Sequence, residues 1–207
     1  MKKTFIAVIV YGLLATVIEA WAQNKVPSNP LPQGASNAES QSPAQKYFTD
    51  VELVNQNGEK LRLYSDLLKG KVVVMTSFMA SCTAACPAKN RNLEKIQEAF
   101  GARLGKDLLI LSITVDPITD TPEKLREYAH LYHARRGWHF LSGKKENVDW
   151  ALYKFGQYVE NKDDHLNILV IGNEGSGLWK KAFALANSDE LIKVIESVLN
   201  DRGEGSR

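Results

Sequence analysis

The chain has 207 residues, of which 44% are hydrophobic and 24% charged, an ordinary globular composition with enough length for one domain plus accessory segments. Its 26 basic and 24 acidic side chains leave a net charge of +2, so no strong field points to nucleic acid or to an anionic membrane surface. With 2 cysteines, neither a disulfide-dense scaffold nor a four-cysteine zinc site can be built.

The chain opens with the basic residues Lys2 and Lys3, followed by an apolar run from Phe5 to Ile18 and then Ala20-Trp21-Ala22, a small-x-small cleavage pattern. The run is short for a membrane span, which needs roughly 20 residues, so residues 1–22 are expected to be a signal peptide. The alternative is an uncleaved anchor that tethers the domain to a membrane. Either way the chain is exported, to the periplasm or the periplasmic face of the inner membrane. Residues 23–46, with Pro27, Pro30, Pro32 and Pro43 among Ser, Asn, Gln and Ala, read as a disordered linker. The folded domain is expected over 47–200, with a flexible tail at 201–207.

Within the domain, Val51 to Val54 and Leu61 to Leu63 flank Asn57-Gly58, the signature of an N-terminal β-hairpin. Lys71 to Phe78 is a β-branched run expected as a strand covered on both faces. After the cysteine segment, Ala88, Leu93, Ile96, Ala99 and Phe100 recur at helical spacing. Asp107 to Thr114 is a second buried strand. Thr121-Pro122 opens a helix expected to run to about Arg136. Trp138 to Leu141 is a short strand, Glu146 to Phe155 a helix and Asn167 to Ile171 a strand. The segment Asn173 to Gly177 turns into Leu178 to Phe183, and Ser188 is expected to cap a last helix. Strands alternating with helices and ending in a hairpin predict an α/β fold, a mixed sheet with helices on both faces.

The two cysteines lie in Cys82-Thr83-Ala84-Ala85-Cys86-Pro87, between a strand and a helix, where open α/β sheets carry their ligand chemistry. Inside one helix their β-carbons would stand about 5–6 Å apart, whereas a disulfide wants about 3.8 Å. Cys82 is therefore placed in the loop and Cys86 at the first helical turn, where free amides favour a thiolate. Two close thiolates suit Cu(I), and the same pair can close a disulfide. A purely structural disulfide is the plain alternative. His165 precedes a strand and offers an imidazole, a borderline ligand; on its own a single surface histidine is usually just solvated. Asp116 ends the second buried strand and is a candidate to orient a ligand, or simply to shape a turn with Pro117. His130 and His133 lie among arginines and read as a solvated basic face. His139 reads as a rim residue, and Trp138, Trp150 and Trp179 as packing.

Several of these residues recur in a known order. Phe78 with Cys82-x-x-x-Cys86-Pro87, Val115-Asp116-Pro117 with Asp120-Thr121-Pro122, Gly137-Trp138 through Gly143, and Asp164-His165 ahead of an apolar strand together resemble the SCO/SenC family of copper-binding proteins. The resemblance implies a thioredoxin-like fold and copper, as Cu(I) or Cu(II), held by Cys82, Cys86 and His165. It implies a role in delivering copper to, or reducing the thiols of, the dinuclear copper centre of cytochrome c oxidase, and the leading reading is a metallochaperone rather than an enzyme. The partner would be the copper-bearing oxidase subunit or another copper chaperone. Where that family commonly carries Pro-Asp, this chain has Thr83-Ala84 and lacks the carboxylate. The competing function is a thiol–disulfide oxidoreductase with Cys82 and Cys86 as its redox pair.

Overall fold

The computed structural model describes residues 41–203; the proposed signal segment, most of the linker and the last residues of the tail lie outside the described residues. Seven strands form one sheet in the order β2-β1-β5-β4-β3-β6-β7. At its centre β3 (Val72–Phe78), β4 (Leu108–Thr114) and β5 (Trp138–Ser142) run parallel. The hairpin of β1 (Glu52–Asn55) and β2 (Lys60–Arg62) is antiparallel to β5, and that of β6 (Ile168–Asn173) and β7 (Trp179–Phe183) to β3.

Both faces of the central strands are covered, so alternate side chains feed two separate cores. Val72, Val74 and Phe78 join Leu108, Ile110, Trp138 and Phe140 on one face, under α2 (Cys86–Ala99), α3 (Pro122–Leu131) and α5 (Ser188–Leu199). Val73, Met75, Leu109, Leu111 and Leu141 point the other way, under α1 (Pro43–Phe48), a π-helical turn at Leu63–Leu68 and α4 (Lys145–Lys154). The two-residue period of a strand makes this division. It also explains why β3 and β4 are continuous apolar runs rather than alternating ones. Each fully buried Val, Leu or Phe side chain contributes about 1.5–3 kcal/mol relative to exposure.

Four boundaries differ from the sequence pattern, each for a local reason. The fold begins with α1 rather than at Tyr47. Ser42 accepts a hydrogen bond from the Gln45 amide and Pro43 occupies the first helical turn, so a proline read as linker is a helix starter. Helix α3 stops at Leu131, not Arg136, because His133 adopts φ 49°, which no helix continues through. Gly137 then takes φ +98° against Gly105, where an added Cβ would sit 2.3 Å from the Gly105 nitrogen, so only glycine allows this approach into β5. Asn187, not Ser188, caps α5. At the other end, Asp201 accepts from the Asn173 side chain, which ties residues following α5 to the β6–β7 turn.

Candidate metal centre

Strand β3 ends at Phe78 and the chain turns through Met79–Cys82, closed by a hydrogen bond from the Cys82 amide to the Met79 carbonyl at 3.0 Å. The turn is held from the side by Asp120, itself buried, which accepts from the Ala80 amide at 3.1 Å and from the Thr114 hydroxyl. Helix α2 then starts at Cys86 with Pro87 in its first turn and no side chain capping it, so its first amides face the cysteine loop. Cys82 is half-buried in the loop and Cys86 fully buried; both are free thiols.

The third group arrives from a distant part of the chain. A 3-10 turn at Lys162–Asp164 delivers His165 just ahead of β6, the strand that pairs with β3. The sulfur atoms of Cys82 and Cys86 and a ring nitrogen of His165 all lie within 4.8 Å of one another. Nε2 of His165 stands 3.3 Å from the Cys86 sulfur. On the other side of the ring, Nδ1 is 2.8 Å from the Lys162 carbonyl, which can only accept, so Nδ1 carries the proton. In the neutral ring Nε2 is then left with its lone pair toward the sulfurs, the arrangement by which a hydrogen bond to one nitrogen prepares the other as a ligand. Two soft sulfurs and one imidazole nitrogen form a donor set suited to Cu(I) or Zn, with a distance spread that one ion can span.

Asp116 reaches this site at one remove. Its carboxylate does not bond to the thiols or to His165; it pairs with Lys162 Nζ at 2.6 Å. Desolvation pushes the Asp116 carboxyl up, but hydrogen bonds from Lys162 and Thr119 outweigh it and hold the group below the usual carboxylate range. The same bond raises the Lys162 ammonium. Asp116 thus anchors the residue whose carbonyl orients His165.

Other histidines stay apart from the centre. His133 is exposed and pairs with Glu94 at 2.9 Å. His139 is half-buried in β5, and desolvation pushes its pKa down. Trp138 is fully buried and donates to the Ser112 hydroxyl at 3.0 Å. The buried stripe of α2 also differs from the apolar spacing: Ala88 and Ala99 face solvent, while Lys89, Asn90 and Gln97 are buried with Leu93 and Ile96. Lys162 and Lys89 escape a motif-based reading, and Asp120, though part of a quoted motif, is given no role by it. For Lys89 a signal exists, since positions 86, 89, 93 and 96 form one helical face and a lysine among Cys, Leu and Ile is out of place there.

Residues 39–200 match the family model described as SCO1/SenC. A SCO2-like protein of Rickettsia felis is 30% identical over 152 residues, covering 69% of this chain and 72% of the relative. Among solved structures, yeast Sco1 with copper bound is 22% identical, with a TM-score of 0.62 over 76% of this chain and 95% of that one. BsSco, described as having a disulfide switch and as a member of the Sco family of cytochrome c oxidase assembly proteins, is 24% identical, with a TM-score of 0.59 over 72% and 91% of the two chains. The fold is therefore the thioredoxin-like one of these proteins.

Proposed function

The chain belongs to the SCO1/SenC family, and we propose that it is an exported copper carrier that binds one copper ion through Cys82, Cys86 and His165. The observation that carries this reading is the convergence of two sulfurs and an oriented imidazole nitrogen within 4.8 Å. Soft thiolates select Cu(I), and the imidazole, borderline in character, supports either oxidation state. The half-exposed positions of Cys82 and His165 leave the ion reachable by an incoming thiolate or imidazole, as handover to an acceptor requires. Copper bound in yeast Sco1 supports the metal, and the place of BsSco among cytochrome c oxidase assembly proteins supports that oxidase as the destination, where we assign the dinuclear copper centre as the receiving site. The acceptor is the copper-bearing oxidase subunit or another copper chaperone. The basic, apolar start of the chain supports export to the periplasm, with cleavage after Ala22 or retention as a tether.

A second reading has its own observation. The two free thiols lie close enough to close a disulfide after a small loop movement, and BsSco is described with a disulfide switch. In that reading one thiolate attacks a partner's disulfide and the other resolves the mixed disulfide, releasing the partner as a dithiol. His165 separates the two. A carrier needs its imidazole, whereas thiol exchange depends on thiolate character and access. In a deletion strain at limiting copper, His165→Ala is expected to leave oxidase activity unrestored, while disulfide exchange in vitro stays within about tenfold of wild type. Full restoration of oxidase activity by His165→Ala would overturn the carrier reading.

A further inference from the structure

Lys89 is fully buried on α2, one turn beyond Cys86 and on the same helical face. Its ammonium donates to the Ser77 carbonyl at 2.5 Å, at the end of β3, and the Ser77 hydroxyl oxygen lies 3.5 Å from the carbonyl of Leu166, the neighbour of His165. The charge thus sits beside the thiolate half of the centre, on the strand end that also contacts the residue following His165. Among the described residues no carboxylate forms an ion pair with it. Asp116 is taken by Lys162, and Asp120 by the Ala80 amide and Thr114. A cation near a helix start also opposes the helix dipole. Burial pushes the Lys89 ammonium toward losing its proton, and the thiolates of Cys86 and Cys82 are the groups that act the other way.

We propose that Lys89 determines the oxidation state the centre prefers, its buried ammonium favouring Cu(I) over Cu(II); the inference rests on the copper reading above. Two thiolates, a neutral imidazole and Cu(I) carry one net negative charge, which the ammonium cancels. With Cu(II) the ligands already cancel the ion, and the ammonium is left as an uncompensated positive charge in a buried place. The loop 79–86 contains no carboxylate to offset it, since Thr83 and Ala84 stand between the cysteines and the remaining residues are uncharged.

The test is the one-electron potential of the copper-loaded protein, in which Cu(II) takes one electron from a mediator to become Cu(I). A second readout needs no metal: the potential of the Cys82–Cys86 disulfide against a glutathione couple. Two electrons from glutathione break the S–S bond and leave two thiolates beside the ammonium. Lys89→Met keeps an unbranched side chain one atom shorter and removes its charge. It is expected to lower the copper potential by about 59 mV or more, the equivalent of a tenfold shift in relative affinity toward Cu(II), and to lower the disulfide potential as well. Lys89→Gln serves the same purpose if the methionine variant does not fold. Ala84→Asp, at an exposed loop position, adds a negative charge without touching the core and is expected to move the copper potential in the same direction by less. Wild type that takes up no stoichiometric copper overturns the carrier reading and this inference with it. Copper-binding protein whose potentials do not move in Lys89→Met or Lys89→Gln overturns the inference alone.

Discussion

The two halves of the centre are built in different ways. The thiolate half grows out of the core. Strand β3 is buried along its whole length, Asp120 pins the turn that follows it, and Cys86 starts a helix whose inner face, with Leu93 and Ile96, lies in the same core as Phe78. The imidazole half sits on a 3-10 turn with no buried residue, steadied by the Lys162 carbonyl and by the Asp116–Lys162 pair. Sulfurs set at the edge of the core beside a nitrogen held at the surface would suit the proposed carrier. The sulfur pair would provide affinity, and the surface-held ligand a place where coordination can change.

The largest break in this comparison comes from the sulfurs. Cys82→Ser or Cys86→Ser is expected to abolish tight Cu(I) binding, a loss beyond the 10–100-fold typical of outer contacts around a metal. Competition against a Cu(I) chelator measures it, and a variant retaining wild-type affinity would refute the assignment of that sulfur. His165→Ala comes next. Two thiolates alone satisfy a two-coordinate Cu(I), so its Cu(I) affinity should fall by less than about tenfold while Cu(II) binding falls by about 100-fold. Equal losses for both ions would remove the distinction between the halves.

Asp120→Ala probes the core side through stability. It leaves the Ala80 amide and the Thr114 hydroxyl without their acceptor, a loss of about 1–3 kcal/mol by chemical denaturation. Asp116→Ala probes the surface side and is expected to have the smallest effect. The ammonium left behind on Lys162 is half-exposed and is taken up by water, so the melting temperature should stay near wild type while Cu(II) affinity falls by about tenfold. Its pH dependence has a definite sign. The folded carboxyl lies below its unfolded value, so the contribution of Asp116 is complete above the unfolded pKa of about 3.9 and is lost as pH falls through the lower folded value. In Asp116→Ala that small acid-side loss should be absent from a plot of unfolding free energy against pH for the metal-free protein.

The same division explains what was legible in the sequence. Strands β3 and β4 announce themselves as unbroken apolar runs, and the cysteine loop follows from its place between a strand and a helix started by Pro87. Contiguous residues sharing one local geometry leave a pattern. His165 has no such pattern, being 79 residues from Cys86, and only a family resemblance brings it forward. Lys162 is less legible still, because its role is a backbone carbonyl and an ammonium that meet two different partners. The early end of α3 at a left-handed His133 left no helix-breaking residue to read before Gly137. Lys89 stood in plain view on a buried helical face, but periodicity counts apolar residues and passes over a lysine.

X-ray absorption at the copper edge of protein loaded with one equivalent of Cu(II) tests the central claim most directly. The account predicts two sulfur scatterers and one imidazole, with the imidazole signature vanishing in His165→Ala and sulfur retained. A spectrum without sulfur, or an imidazole that survives the loss of His165, would contradict the account.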